Sequence, residues 1–348
     1  MLSPGEIVAY RSLAALQQSA PEGPPAFDSP ASGCPGDGGI NRSGIGRAVL
    51  GLSSLVLCLA AVSGCGGRAG APPPADGGRP FPRPARVAVF LLENRSYEQV
   101  ISRPDAPYIN RLARRYALAT HYYAIAHPSL PNYIALSGGS VFGIRSDCGG
   151  CDVDGRPSIV GQLDAAGHTW KAYFEDLDGN RRPGPLTRQY DPHYNPFVYY
   201  ETVRGVRRDR SRVVGFDELR SDLNSGQLPD FVWIAPGIRH DGHNSSLRTA
   251  DRYASRLVPR VLHALGPDGI LYLTWDEGSP HDRRGVNGPG GGRIALIAAG
   301  GDARRHIRAA GRANHYALLR TLEAGFRMRA LGNAGASSTP LLRGLIKP

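Results

Sequence analysis

Residue types that could bind or attack a phosphoryl or acyl group occur at residues 127–133 (His-Pro-Ser-Leu-Pro-Asn-Tyr). An apolar and aromatic run at residues 122–126 has the composition of a strand, and a short predicted helix ended by glycines follows the motif. Ser129 would therefore lie at or just before a helix N-terminus, where unpaired N–H groups and the helix dipole favour negative charge. A serine there either caps the helix or acts as a nucleophile, and spacing alone favours the cap.

Acidic, amide and imidazole side chains follow three further apolar stretches of strand length. They are Glu93 and Asn94 after residues 87–92, His240, Asp241 and His243 after residues 231–235, and Asp276 and Glu277 after residues 270–275. Oxygen donors gathered around a hydroxyl suit a divalent cation, which offsets clustered carboxylates and lowers the hydroxyl pKa. Each acidic pair alone fits a turn or an exposed loop equally well, and a lone histidine usually lies on the surface. Together the groups indicate a metal-assisted hydrolase.

The order of the predicted elements indicates an α/β fold. Predicted strands at residues 87–92, 170–174, 231–235, 270–275 and 294–298 alternate with predicted helices at residues 107–117, 158–166, 217–223, 250–265 and 314–326. Alternation of this kind, with strands apolar throughout, predicts a three-layer α/β/α sandwich with a mainly parallel central sheet. In such sheets ligands bind beyond the carboxyl ends of the strands, where the polar groups above would meet.

The charge of the chain is strongly basic, and it comes almost entirely from arginine. The formal net charge is +11, and the only lysines are Lys171 and Lys347. The arginines are spread along the sequence, and the chain has no recognition-helix, zinc-finger or RNA-binding motif. We therefore expect no nucleic-acid partner, and a basic surface that attracts anionic substrates or an anionic membrane face.

The N-terminal part of the chain has the pattern of an export signal. Residues 1–41 are rich in Gly, Pro and Ser and are predicted to be a disordered or untranslated extension. Residues 42–65 combine a basic flank, a short apolar run and the sequence Val-Ser-Gly-Cys, which resembles a bacterial lipobox and implies lipid attachment to Cys65. An ordinary signal peptide or a buried apolar segment is the alternative. The expected location is outside the cytoplasm, as a cell-envelope lipoprotein or a secreted protein.

Two further features follow from the same part of the analysis. Residues 66–85, rich in Pro and Gly, are predicted to tether a domain at residues 86–348 and to span on the order of 40–60 Å. That domain keeps two cysteines, Cys148 and Cys151. They could be half of a zinc site, but no second pair accompanies them, and in an exported protein a local disulfide is favoured.

Five motifs in order resemble one protein family. They are residues 93–97 (Glu-Asn-Arg-Ser-Tyr), 127–133, 240–243 (His-Asp-Gly-His), 274–277 (Thr-Trp-Asp-Glu) and 314–323 (Asn-His-Tyr-Ala-Leu-Leu-Arg-Thr-Leu-Glu). This series resembles the bacterial phosphoesterase family of secreted acid phosphatases and phospholipases C, which has the alkaline-phosphatase-type fold. Within the family the chain is most similar to compact actinobacterial acid phosphatases, some described as phosphatidylinositol 3-phosphate phosphatases. The resemblance extends over residues 86–342.

The resemblance implies a role for each matching residue. The metal site would be Glu93, Asn94, Ser129, Asp276 and Glu277, with Ser129 as the nucleophile. The phosphate pocket would be lined by His127, His240, Asp241, His243 and His315, of which none is identified as the general acid. Many relatives have Asn or Cys where Arg239 and His240 stand, and Asn244 departs from the usual residue after His243, so this part of the pocket lining differs from the family pattern.

The expected activity is hydrolysis of phosphate monoesters through a phosphoserine intermediate, best in mildly acidic solution, where protonated histidines offset the substrate charge. The oxygen-rich ligand set favours one divalent cation, calcium, magnesium or manganese rather than zinc. Substrates would be phosphate esters such as a phosphoinositide or another phospholipid, and the membrane would be reached through the lipid on Cys65. A phospholipase C-type phosphodiesterase and a non-catalytic anion-binding lipoprotein are the alternatives.

Overall fold

A computed structural model of the chain describes residues 80–177, 191–205 and 211–348. The N-terminal extension, the signal with Cys65 and most of the tether lie outside these residues. None of the described helices is long and apolar enough to cross a bilayer.

In the described residues, nine strands form one central sheet in the order β4-β3-β5-β1-β6-β7-β2-β8, and β9 also pairs with β2. The strands are β1 (Arg86–Leu92), β2 (Ala117–Tyr123), β3 (Trp170–Phe174), β4 (Val213–Gly215), β5 (Phe231–Ala235), β6 (Gly269–Trp275), β7 (Arg293–Gly300), β8 (Ile307–Ala309) and β9 (Ala313–Asn314). β7 runs antiparallel to β6 and β2, and all other pairs are parallel. No helix connects β6 to β7, and a parallel return would require a crossover of that kind.

Helices cover both faces of the sheet. They are α1 (Tyr97–Val100), α2 (Pro107–Arg115), α3 (Ser129–Gly138), α4 (Ile159–Ala165), α5 (Glu201–Gly205), α6 (Phe216–Ser225), α7 (Leu247–Leu265) and α8 (His315–Gly325). α3 contacts α4 and α8, whereas α7 contacts α2, α6 and the central strands β1 and β6. The predicted three-layer sandwich with a mainly parallel sheet is confirmed.

The sequence predicted the long apolar elements well and missed the short ones. β3 and β5 have the predicted limits, because β5 is a continuous buried apolar run and β3 is interrupted only by the half-buried Lys171. The strand predicted at residues 122–126 overlaps only the end of β2, which begins at Ala117 and ends at Tyr123. The strands β4, β8 and β9 were not predicted. Each has only two or three residues, which is too short for a recognisable hydrophobic pattern.

The parallel strands all end at one edge of the sheet and all begin at the opposite edge. β1 and β6 are neighbours in register, with Leu92 opposite Trp275, so the residues after these two strands lie side by side. We call this the carboxyl edge, and the opposite edge, where β1 and β2 begin, the amino edge. α3 starts at the carboxyl edge and is buried along its whole length, so its first residue stands on a rigid support.

Candidate active site

The ends of β1 and β6 bring an amide and two carboxylates into contact. The backbone N–H of Asn94 donates to Oδ1 of Asp276 (3.0 Å), and its side-chain Nδ2 donates to Oε1 of Glu277 (2.9 Å). Asn94 adopts a positive φ of 49°, a conformation that asparagine tolerates better than most residues, and the turn lets both groups reach β6. Four of the predicted ligands, counting the adjacent Glu93, therefore occupy one short stretch of the carboxyl edge.

Ser129 lies in contact with this group. Its hydroxyl is within hydrogen-bond distance of Oε2 of Glu93 (3.2 Å) and of Oδ1 of Asn94 (3.3 Å). Ser129 is the first residue of α3, and the N-cap position is taken by Pro128 without any side-chain cap. The cap alternative for Ser129 is therefore wrong, because its hydroxyl is directed to acceptors on β1 rather than to the N–H groups of its own helix.

The carboxylates of this cluster are buried close to one another. Burial raises the pKa of Glu93 well above its usual range, and the charges of Asp276, Asp241 and Glu277 raise it further. The pKa of Asp276 is also raised well above its usual range, first by burial and then by the charge of Glu277. Oδ2 of Asp276 is buried without a hydrogen-bond partner. Acidic groups in such surroundings are stabilised by a cation.

The donor set fits a hard divalent cation. Carboxylate, amide and hydroxyl oxygens are the ligands that calcium, magnesium and manganese prefer, and the unpartnered oxygen of Asp276 offers a further one. Among the described residues, no group of three or more His, Cys, Asp or Glu side chains is arranged to hold a metal ion as it stands. A site here would therefore depend on Asn94 and Ser129 as well as on the acids.

Two tyrosines that the sequence analysis did not single out support the acids. The hydroxyl of Tyr133 donates to Oε1 of Glu93, and its ring stacks on Tyr194 at a centroid distance of 6.1 Å. Tyr194 in turn donates to Oδ2 of Asp241 (2.9 Å), whose backbone oxygen accepts from the N–H of Glu93 (2.9 Å). Tyr133 could have been identified from the sequence, because it belongs to the motif at residues 127–133. No sequence pattern pointed to Tyr194.

His127 holds one acid of the cluster in place. Its Nδ1 lies 2.6 Å from Oε2 of Glu277, and its Nε2 lies 2.9 Å from the carbonyl oxygen of Asp282. Burial by itself lowers the pKa of His127, but the hydrogen bond and charge of Glu277 outweigh it, so that the pKa is raised. The imidazole therefore fixes the orientation of the Glu277 carboxylate.

The other three predicted histidines lie in different surroundings. His315 is fully buried between the Tyr122 hydroxyl (3.0 Å) and the carbonyl oxygen of Asp276 (2.6 Å), and burial lowers its pKa to about 4. His240 bonds Glu175 (3.0 Å) and stacks on Tyr253 at 4.0 Å. The structure thus gives these two histidines structural contacts rather than an open face toward a ligand.

The third of them, His243, is exposed. Its backbone N–H donates to Oδ1 of Asp241 (2.9 Å), a carboxylate that also accepts from the N–H of Asn244. Asp241 itself is inaccessible to solvent, so it shapes this turn rather than facing a pocket.

A second missed group lies at the N-terminus of α3. Oδ1 of Asp147 accepts from the N–H of Leu130 (2.8 Å), next to Ser129. Asp147 is exposed as a residue, but its carboxylate is tucked against the helix, and this burial raises its pKa. The adjoining loop is closed by the predicted disulfide between Cys148 and Cys151. One of the helix N–H groups expected to meet an oxyanion is therefore engaged by a carboxylate.

His193 completes the surroundings of this loop. Its Nδ1 lies 2.9 Å from Asp191, and Asp147 is close enough to influence it electrostatically. Burial lowers the pKa of His193, but the hydrogen bond and charge of Asp191 outweigh it, so the pKa is raised. No pattern in the sequence pointed to this histidine.

The fold is similar to that of a solved protein of the alkaline phosphatase superfamily. A protein of that superfamily from Vibrio parahaemolyticus matches with a TM-score of 0.53 and 13% identity, over 74% of this chain and 71% of its own. A solved structure from work on glycosaminoglycan metabolism by Bacteroides thetaiotaomicron matches with a TM-score of 0.54 and 13% identity, over 76% and 82%. At such identities the likeness concerns the fold, and the predicted fold class is confirmed.

Within that architecture the chain belongs to the phosphoesterase family, whose model matches residues 93–328. It is 27% identical to a phosphate-repressible acid phosphatase of Penicillium chrysogenum, over 71% of this chain and 60% of that protein. It is 29% identical to a phosphatidylinositol-3-phosphatase of Mycobacterium tuberculosis, over 59% and 68%. The predicted family membership is confirmed, and the mycobacterial match supports in part the predicted similarity to actinobacterial members.

Proposed function

We propose that the protein is a metal-dependent phosphomonoesterase that acts through a phosphoserine at Ser129. The observation that carries this proposal is the Ser129 hydroxyl, held at a helix N-terminus against Glu93 and Asn94 beside two further buried acids. The phosphatase names of the relatives from Penicillium chrysogenum and Mycobacterium tuberculosis support the same reaction class. The latter name also makes a phosphoinositide a candidate substrate.

In this proposal Glu93, Asn94, Ser129, Asp276 and Glu277 hold the cation. When bound, it supplies positive charge that offsets the phosphoryl oxygens and lowers the pKa of the serine hydroxyl. Calcium, magnesium or manganese suits this set better than zinc, because every donor is an oxygen.

Side chains of the protein accept the proton of Ser129 and orient the acids. Glu93 accepts the hydrogen bond of Ser129, so it is placed to take the proton as Oγ attacks phosphorus. The Oγ–P bond forms while the bond from phosphorus to the leaving oxygen breaks, and water then cleaves the Oγ–P bond to release phosphate. Tyr133 and His127 fix the orientation of Glu93 and Glu277.

We expect the enzyme to prefer monoesters over diesters and to work best in mildly acidic solution. As the pH falls, Asp147, whose pKa is raised by burial, loses its negative charge beside Ser129. Over the same range His193, whose pKa is raised through Asp191, keeps its positive charge. The neutral Asp147 and the positively charged His193 both make the surroundings of α3 more favourable to a phosphate dianion. The measurement is kcat/KM against pH for p-nitrophenyl phosphate, bis-p-nitrophenyl phosphate and phosphatidylcholine.

Asp147→Asn should flatten the acidic preference for the monoester, because the titrating charge is removed while the hydrogen bond to Leu130 is retained. Asp154→Asn, an exposed position further along the chain that pairs with Arg204, is the matched control and should keep the wild-type profile. Faster turnover of either diester than of the monoester would instead favour a phospholipase C-type phosphodiesterase.

The proposed location is the cell envelope, with a lipid on Cys65. The support is the lipobox-like sequence Val-Ser-Gly-Cys at residues 62–65 after an apolar run. Cys65→Ser is expected to abolish membrane retention and to leave the specific activity nearly unchanged, since the acylated residue precedes the tether. Detergent partitioning and mass spectrometry of the mature N-terminal peptide measure both effects. A wild-type protein without lipid mass would contradict this proposal.

A further inference from the structure

The fold gathers arginines that are far apart in the sequence onto the amino edge of the sheet. Arg114 and Arg115 end α2 just before β2, and Arg304, Arg305 and Arg308 surround the start of β8. β8 pairs with the first residues of β2, Ala117 opposite Ile307, so the two groups become neighbours. All five side chains are exposed, and we call this set the basic edge.

Several contacts tie the two halves of the basic edge together. The Cζ atoms of Arg115 and Arg305 lie 5.4 Å and 5.6 Å from the centroid of the same ring, that of Tyr116. His306 bonds the carbonyl oxygens of Arg114 (3.1 Å) and Arg115 (3.3 Å). Like charges are thus held on one rigid surface within a distance at which salt screens them only partly.

In the part of the chain that the structure describes, the arginines of the basic edge have no acidic partner within ion-pair distance. Several arginines elsewhere do pair with acids: Arg204 with Asp152, Arg212 with Asp164, Arg239 with Asp176, Arg248 with Asp105 and Arg284 with Glu98. Within residues 80–177, 191–205 and 211–348, none of the five guanidinium groups of the basic edge forms an ion pair. Two acids lie nearby, Asp302 and Asp268, and Lys347 offsets part of the charge of Asp302. With five arginines, the surface carries an excess of positive charge.

The N-terminal segment joins the described chain beside this surface. Arg343 donates to the carbonyl oxygen of Pro80 (3.4 Å), and its guanidinium lies over the ring of Phe81 at 5.2 Å. Two residues later, the carbonyl oxygen of Leu345 accepts from the N–H of Arg304 (2.9 Å). The first described residues, Pro80 and Phe81, which follow Cys65 and the predicted tether in the sequence, therefore lie next to the basic edge.

We propose that the basic edge docks the domain onto a bilayer that contains anionic lipids. A lipid on Cys65 would bring the bilayer to this side, and arginines near an anionic leaflet each add to the attraction. Nucleic acid is a weaker fit, because Tyr116 is buried under the arginines and offers no free ring on which bases could stack.

Docking in this manner fixes the orientation of the domain. The basic edge lies where β1 and β2 begin, and the carboxylate cluster with Ser129 lies where β1 ends, about 23 Å away along a strand of seven residues. The cluster then opens away from the bilayer that holds the protein. The inference rests in part on the proposed lipid at Cys65, and it stands whether or not Ser129 is a nucleophile.

The test is flotation of the full chain with vesicles. Cys65→Ser is present in every sample so that no acyl chain contributes. Vesicles of phosphatidylcholine alone are compared with vesicles containing one-third phosphatidylglycerol. We expect binding only to the anionic vesicles, and a loss of affinity of about twenty-fivefold in Arg115→Gln/Arg305→Gln, since each arginine contributes about fivefold.

The matched control is Arg220→Gln/Arg248→Gln, which removes the same charge from exposed positions outside the basic edge. It should bind the anionic vesicles with nearly wild-type affinity, and all proteins should have similar Tm values. If Arg115→Gln/Arg305→Gln unfolds, Arg304→Gln/Arg308→Gln provides the same comparison. Three results would each overturn the proposal. They are an equal loss of affinity in the control, no binding of the starting protein to anionic vesicles, and tighter binding to duplex DNA than to vesicles at equal phosphate concentration.

Discussion

Replacing Ser129 by alanine is expected to reduce the turnover of p-nitrophenyl phosphate by at least about a thousandfold. The Ser129 hydroxyl contacts Glu93 and Asn94, which follow β1. Among the described residues, no other hydroxyl takes that position at the start of α3. The fold should persist, because the helix does not use this side chain as its cap. Steady-state kinetics and thermal unfolding of the same preparation measure the two effects separately.

Ser137→Ala provides the matched control for this change. Ser137 lies in the same helix and is equally buried, but its hydroxyl bonds Ile134 and Tyr200 rather than the acids. Turnover should remain near wild type in this variant. Acid quenching of wild-type protein with labelled substrate should yield a phosphorylated peptide that contains Ser129. Labelling of a different peptide would transfer the nucleophile role to another residue.

Asp276→Asn and Glu277→Gln are expected to lose bound metal and activity together, each by at least about a hundredfold in kcat/KM. Both changes keep the shape of the side chain and remove the charge that a cation requires. A chelator should also lower the Tm of the wild-type protein, because buried carboxylates that raise each other's pKa repel one another without a cation. Elemental analysis and calorimetry provide the readouts.

Asp222→Asn is the control for a buried carboxylate outside the cluster. Asp222 is bonded to Lys171 and Tyr173 of β3, a strand that β5 and β1 separate from β6. This variant should lose some stability but keep its metal, its activity and its sensitivity to the chelator. Full activity of the wild-type protein after complete metal removal would refute the metal assignment.

The sequence predicted the elements that carry the site. β1, β5 and β6 are mainly apolar and almost completely buried, and such runs are recognisable without any tertiary information. Because the acidic residues follow β1 and β6 directly, their common position at the carboxyl edge could be inferred from topology alone. The same reasoning could not place His240 or His315, since a loop residue can turn its side chain toward either the opening or the interior.

The sequence by itself determined the α/β class, the family and the group of acids around Ser129. Each depends on residues that are adjacent along the chain or on apolar strands that are recognisable one by one. The tertiary structure decided the contacts between distant segments. Tyr194 reaches Asp241, Asp147 occupies the N–H of Leu130, and Arg115 meets Arg305 over one tyrosine ring. Arginines that are spread along the chain form one surface because β8 pairs with β2, and strand pairing across almost two hundred residues leaves no local pattern in a sequence.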